Sequence, residues 1–149
     1  MTIHGSDHYA NGEERFDAEG RKQKFLYNGT GSDTAIGTTA KLGYSSTIKG
    51  LQAQALADSA TIETILVAAE VITSTSYGWF YKEGSGISAT VASMTVTAGD
   101  GLSMSNGAFK DTGTGFARSD NEFGVIETSA STTTSIVITL LGRESLGAT

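Results

Sequence analysis

Tyr77-Gly-Trp-Phe-Tyr81 opens the stretch that decides the fold, and Ser135-Ile-Val-Ile-Thr-Leu-Leu141 closes it. Both runs are rich in β-branched and aromatic side chains, which suit the pleated surface of a strand. Three similar runs lie between them: Ile87-Ser-Ala-Thr-Val91, Met94-Thr-Val-Thr-Ala98 and Phe123-Gly-Val-Ile-Glu127. Glycine and asparagine adopt positive φ at little cost, and they separate the runs at Lys82-Glu-Gly-Ser-Gly86, Ala98-Gly-Asp-Gly101 and Ser105-Asn-Gly107. The pattern predicts a mainly β protein.

The last of these runs carries apolar side chains on both faces. Ile136, Ile138 and Leu140 share one parity, whereas Val137 and Leu141 share the other. A strand with two apolar faces is typical of a sandwich, a small barrel or a subunit interface. We therefore expect a compact antiparallel β-sandwich or small β-barrel, with at most one short helix.

Composition limits the classes of function. The chain has 149 residues, a net charge of −6 and no cysteine. An acidic chain without clustered Lys and Arg is not expected to bind nucleic acid, and no apolar run is long enough for a membrane span. Ile, Leu, Val and Phe make up roughly a fifth of the chain, which is little for a complete core. We therefore expect burial to be completed in an oligomer or a larger assembly.

The chain divides into two regions. Residues 1–35 are rich in charge and show no helical or strand period, so they predict an extended N-terminal arm that a neighbour orders. Residues 36–149 form the β-rich domain, in which 64–141 is the best-patterned part. The expected contacts of the arm with a neighbouring chain are its large apolar side chains, Phe16, Phe25, Leu26 and Tyr27.

The segment between arm and strands is mixed. Residues 41–48 are compatible with a strand, and the alanine-rich residues 51–57 favour one or two helical turns. Residues 60–72 suit either a helix or a strand, because Ile65, Val67 and Val71 alternate while Glu and Ala favour a helix. We favour a strand over 64–72, since β-rich sequence follows directly. The polar tail after Leu141 is expected to fray.

No pattern of catalytic or metal-ligating residues stands out. His4, Asp7 and His8 would share one face of a helix, but Gly5 and Asn11-Gly12 disfavour a helix there. The glycine run at 29–34 lacks the Gly-Lys-Ser/Thr of a phosphate-binding loop, and no G-x-S-x-G elbow occurs. We predict that the protein is not an enzyme and uses no cofactor or metal.

Three aromatic residues share one face of the opening strand. Tyr77, Trp79 and Tyr81 lie at period two, with Phe80 on the other face. Such a row either packs in a core or subunit interface, or stacks on a sugar ring. Because the chain has few other large side chains, we favour packing and take the three as candidate interface aromatics. A tail or surface adhesion module that binds host glycans is the alternative.

The order of motifs over residues 64–141 resembles that of the capsid decoration, or cement, proteins of tailed bacteriophages. In that family an aromatic strand and a glycine hairpin precede a T-A-G-D motif, which is present here in Val96-Thr-Ala-Gly-Asp-Gly-Leu102. A G-V-A-x-E motif follows, and Phe123-Gly-Val-Ile-Glu-Thr128 matches it with Ile126 at the alanine position. A closing strand corresponds to residues 135–141.

The resemblance implies a structural virion protein. Such a protein is made in the host cytoplasm, binds the exterior of an assembled capsid and stabilises it by bridging neighbouring subunits. Its implied partners are the major capsid protein and further copies of itself in a homotrimer. Deletion of residues 1–30 is expected to abolish capsid binding and to leave the β unit folded.

Overall fold

The structure is a computed structural model that describes residues 9–56, 63–105, 107–117, 122–142 and 144–145. The disfavoured metal pattern of His4, Asp7 and His8 lies outside these residues, as does the start of the 60–72 segment. The described residues form eleven strands and no helix. In chain order they are β1 Glu14–Phe16, β2 Lys22–Asn28, β3 Thr39–Ser45, β4 Gly50–Gln54, β5 Glu63–Ala68, β6 Tyr77–Val96, β7 Asp100–Ser105, β8 Ala108–Gly115, β9 Gly124–Ile126, β10 Ala130–Leu141 and β11 Glu144–Ser145.

Five strands close into a small barrel in the order β2–β4–β3–β5–β6, with β6 pairing back to β2. The β2–β4 pair is parallel, and the other four pairs are antiparallel. The apolar cluster of the barrel consists of Leu26, Ala40, Ala53, Leu66, Ala68, Ile72 and Phe80. Its many alanines fit a lumen that only five strands enclose. The predicted mainly β fold is confirmed, with a barrel at its centre.

Strand β6 leaves the barrel and continues into a second β unit, in which the strand order is β6–β10–β9–β7–β8. The separation predicted at Lys82–Gly86 is therefore wrong, because β6 is one strand through these residues. Gly84 and Gly86 lie at this passage with φ values of 135° and 69°, which favour glycine. A Cβ on Gly84 would lie 2.9 Å from the Cα of Arg21, so the absent side chain also lets the β1–β2 turn approach. The buried core of this unit comprises Ile65, Val67, Ile87, Ala89, Val96, Leu102, Met104, Phe109, Phe123, Ile126, Ile136, Ile138 and Leu140.

Strand β5 lies between the two cores. Leu66 and Ala68 point into the barrel, while Ile65 and Val67 contact the second core. Both faces are therefore buried, and both parities of the sequence are apolar. The same arrangement explains why periodicity alone left helix and strand open here. The preferred strand is confirmed for Thr64–Ala68, after which the chain turns and Ile72 forms a bridge to Thr34.

The helical turns predicted over residues 51–57 are wrong for the part that the structure describes. Gly50–Gln54 is strand β4, paired with β3 and with β2. Ala53 is fully buried inside the barrel, where a larger side chain would not fit. Tertiary pairing therefore outweighs the helix propensity of alanine and glutamine, which is a weak preference.

The prediction of an extended arm is wrong for residues 22–28. Strand β2 pairs with β6 over Lys22–Tyr27, and Phe25 and Leu26 have no exposed surface. Deleting residues 1–30 would consequently remove a wall of the barrel, contrary to the expectation that the β unit would stay folded. The charge of this segment misled the prediction, because Lys22 and Lys24 are ion-paired with Glu83 and Glu14 and do not prevent strand pairing.

The C-terminal expectations have mixed outcomes. Ile136, Ile138 and Leu140 are buried as predicted, whereas Val137 and Leu141 are half-buried, so the outer face of β10 is covered only in part. The tail was expected to fray, and this is wrong for Glu144–Ser145, which pairs with the first residues of β5. That pairing satisfies backbone groups that β3 and β6 leave open.

Candidate docking face

The register between β2 and β6 brings together two groups of residues that the sequence analysis treated separately. Phe25 lies opposite Trp79, and Tyr27 lies opposite Tyr77. The ring centroids of Phe25 and Trp79 are 5.1 Å apart, and those of Tyr27 and Tyr77 are 5.4 Å apart. Directly opposed aromatic side chains stabilise an antiparallel pair. We call the set formed by Phe25, Tyr27, Tyr77 and Trp79 the aromatic face.

Residues 9–16, here called the cover segment, lie over the aromatic face. The ring of Tyr9 is 5.2 Å from that of Phe25 and 5.0 Å from that of Trp79. The guanidinium of Arg15 lies 4.0 Å from the centre of the indole ring of Trp79, in cation–π geometry. As a result Phe25 and Trp79 are buried although both lie on the outside of the barrel.

Backbone hydrogen bonds fix the cover segment to β2. The N–H of Gly12 donates to the carbonyl of Phe25 at 2.7 Å, and the N–H of Phe25 donates to the carbonyl of Glu13 at 2.8 Å. The indole N–H of Trp79 is buried and has no hydrogen-bond partner among the described residues. Its packing with Arg15 and the neighbouring rings therefore holds this side chain.

Ion pairs lie on the other face of β1 and β2 from Arg15 and Phe25, because Glu14 is opposite Lys24 and successive side chains of a strand alternate between faces. The carboxylate of Glu14 lies 3.2 Å from the ammonium of Lys24 and 3.2 Å from that of Lys82, so one acid bridges β2 and β6. Burial alone would raise the pKa of Glu14, but hydrogen bonds from Lys82 and Lys24 hold the pKa below its ordinary value. The three charges neutralise one another only in part and leave one net positive charge.

Arg21 makes a second bridge at the end of the β1–β2 turn. Its guanidinium donates to Asp17 at 2.7 Å, to Glu19 at 3.1 Å and to the carbonyl of Gly86 at 3.2 Å. It also lies 4.8 Å from the centre of the Tyr81 ring. Burial would raise the pKa of Asp17, but hydrogen bonds from the backbone and side chain of Arg21 lower it overall. Arg21 thus fastens the turn to the point where β6 leaves the barrel.

The predicted contact residues differ in what they offer to a partner. Phe16 is 65% exposed at the edge strand β1, with the ammonium of Lys22 5.6 Å from its ring. Tyr27, Tyr77 and Tyr81 are half-buried. The remaining three have almost no surface: Phe25, Leu26 and Trp79. Phe16 and the ion-paired side chains are therefore presented on one face of the β1–β2–β6 sheet, and the tyrosine edges on the other.

Sequence reasoning missed the residues that organise this face. The sequence analysis predicted no contact for Arg15 or Lys82, because their contacts depend on strand pairings that bring distant positions together. One local signal was available: Asp17-Ala-Glu-Gly20 is a turn sequence in which the Asp17 carboxylate accepts the N–H groups of Glu19 and Arg21. That signal predicts a hairpin at residues 14–24 in place of an arm.

The described part of the chain contains no cluster of three or more His, Asp or Glu side chains that could hold a metal ion. Within the same residues, no helix is long and apolar enough to cross a membrane.

Comparison with solved structures gives a structural likeness. No protein-family model matches the chain, and no curated protein matches it. Among solved structures, the fold is similar to the crystal structure of the N base of head fiber gp8.5 of bacteriophage phi29, with a TM-score of 0.53. The alignment covers 82% of this chain and 97% of the phi29 chain at 14% identity. At this identity the likeness concerns the fold.

Proposed function

We propose that this chain is a structural protein of a bacteriophage virion that binds the outer surface of the assembled capsid. It stabilises the shell by bridging neighbouring capsid subunits. A protein that binds only the assembled lattice shifts the equilibrium toward that lattice by its binding free energy. The proposed partners are the major capsid protein and further copies of the chain in a homotrimer. Several contacts per trimer then act at high effective concentration.

The observation that carries this proposal is the fold likeness to the base of a phage head fiber, which extends over most of both chains. The resemblance of the motifs in residues 64–141 to phage decoration proteins supports it from the sequence side. The glycan-binding alternative is not favoured, because it needs an exposed aromatic ring and Trp79 is buried under Tyr9 and Arg15.

Cosedimentation with capsid shells prepared without the protein tests the proposal. The purified full chain should pellet with assembled shells, should fail to pellet with unassembled capsid protein, and should raise the temperature at which shells disrupt. A chain that neither pellets with shells nor changes their thermal disruption would contradict the proposal.

A point variant tests the face. Phe16→Ala removes the most exposed ring among the predicted contact residues, and we expect shell affinity to fall by roughly tenfold or more, as for an interface anchor. Tyr44→Ala is the matched control, because Tyr44 is 63% exposed against 65% for Phe16 and is not one of the predicted contact residues. Equal binding of both variants and the wild type would exclude Phe16 from the contact.

A further inference from the structure

The second half of β6 and the facing part of β10 form a ribbon without charge. Residues 88–98 and 128–137 contain no Lys, Arg, Asp or Glu, although the whole chain carries 26 such residues. The two segments pair directly, with Ser88 opposite Val137 and Thr90 opposite Ser135. We call this surface the neutral ribbon.

The neutral ribbon is exposed. Thr90, Ala92, Ser93 and Thr95 on β6 are exposed, and so are most residues of the matching part of β10: Ser131, Thr132, Thr134 and Ser135. Its surface is thus made of hydroxyl and methyl groups. Carboxylates border it, since Glu127 accepts the N–H of Gly86 at one end and Asp111 accepts the N–H of Thr97 at the other.

Soluble proteins usually protect exposed β structure with charged side chains, above all lysine, because an uncharged ribbon invites pairing with another chain. This ribbon has no such protection. Thr132 also retains a φ of 50°, a left-handed conformation that is costly for a β-branched residue. A charge-free surface of this extent is better explained as one that is covered in the working assembly, since the centres of interfaces are depleted of charge.

We infer that the neutral ribbon is the surface through which copies of this chain contact one another. The net charge of the chain indicates that a second copy can contact this surface. Each copy carries a net charge of −6, so two copies repel each other unless they meet where neither presents a charge. The neutral ribbon meets this condition, whereas the surface around Glu14, Arg15 and Lys82 is densely charged.

The inference rests on the self-association that belongs to the proposed function, and it assigns the residues. It also predicts the response to salt. Because the contact surface is uncharged and the repulsion between whole copies is screened by ions, association should strengthen as ionic strength rises. An interface built from ion pairs would weaken instead.

Sedimentation velocity of the full chain over a concentration series tests the inference. Thr134→Lys and Ala92→Lys each place a like charge on both copies at the ribbon, and we expect the dissociation constant to rise at least about tenfold. The matched control is Thr114→Lys, which adds the same charge at an exposed position of β8. Thr134→Val, which stays uncharged, should associate as the wild type does.

The outcomes separate the inference from the proposed function. If the wild type, Thr134→Lys and Ala92→Lys all associate equally well, with circular dichroism showing folded protein, the ribbon is excluded and the proposed assembly stands. If the wild type stays monomeric at all concentrations and salt levels, the self-association and the inference both fall, while shell binding is still judged by cosedimentation. If Thr134→Lys and Ala92→Lys weaken association and Thr114→Lys does not, the inference is supported.

Discussion

The two halves of β6 lie in opposite physical settings. Residues 77–83 run along the barrel, where aromatic rings, Arg15, Arg21 and the Glu14 ion pairs contact them. Residues 88–96 run along β10, where no side chain of either strand carries charge. The aromatic half, which the sequence suggests as a binding surface, is thus contacted by other residues of the same chain. The half with small hydroxyl-bearing side chains is exposed to solvent. A surface is available for binding because of what the fold leaves uncovered, and side-chain type alone does not indicate this.

The largest expected effect tests whether the two halves unfold together. Phe80→Ala empties the barrel, and Ile138→Ala empties the second core; both side chains are fully buried. We expect losses of about 3–5 and about 2–5 kcal/mol in the free energy of unfolding, respectively. Since β5 and β6 contribute to both cores, each variant should lower the midpoint of one shared transition in urea.

Two separate transitions in either variant, resolved by circular dichroism and by the fluorescence of the single tryptophan, would show that barrel and second unit fold independently. The two halves of β6 would then belong to two separate folding domains.

A smaller effect is expected at the point where the halves meet. Gly84→Ala places a Cβ 2.7–2.9 Å from atoms of Arg21 at a φ of 135°, so we expect a loss of about 2–3 kcal/mol. Gly99→Ala is the control, because Gly99 has a φ of 90° and nothing lies near its added Cβ. The control should lose only about 1–2 kcal/mol from backbone strain. Thermal unfolding of both variants measures the difference, and equal losses would mean that the close approach of Arg21 is unimportant.

The smallest effect concerns the charge that fastens the turn to β6. Asp17 has a folded-state pKa below its ordinary value of 3.8, so its ionised form stabilises the fold at neutral pH. That contribution is lost as the pH falls below about 3.8 and through the lowered pKa. Asp17→Asn keeps an oxygen for the backbone N–H groups of Glu19 and Arg21 but removes the charge.

We therefore expect Asp17→Asn to reduce stability by about 0.2–1 kcal/mol at pH 7. The difference from the wild type should vanish at a pH well below 3.8, as measured by urea unfolding at both pH values. A difference that is the same at both pH values would show that the charge of Asp17 contributes nothing.

Much of the strand content was predictable because it depends on local chemistry. β-branched runs indicated that residues 77–141 are mainly strand, glycine indicated the turn before β7, and the parity of Ile136, Ile138 and Leu140 indicated the buried face of β10. The turn predicted at residues 82–86 was wrong, because β6 is continuous over Tyr77–Val96. The errors occurred where a local signal was weak. Residues 51–54 have helix-forming side chains, yet partners on both sides make them a strand.

The candidate docking side was predictable only as a set of residue types. Phe25 and Trp79 are 54 positions apart in the chain, and nothing local shows that they lie opposite each other. Their pairing removes both from the surface, with the cover segment above them. Phe16 keeps its exposure because β1 is at the edge of the sheet.

The sequence by itself determined the β class, most of the strand-forming runs after residue 77 and the uncharged composition of residues 88–98 and 128–137, since these depend on neighbouring residues and on residue type. Only the tertiary structure decided that β2 closes the barrel, that Arg15 covers Trp79, and that the uncharged segments lie side by side. The physical reason is that strand pairing joins residues far apart in the chain, and its register determines which side chains are buried and which stay exposed.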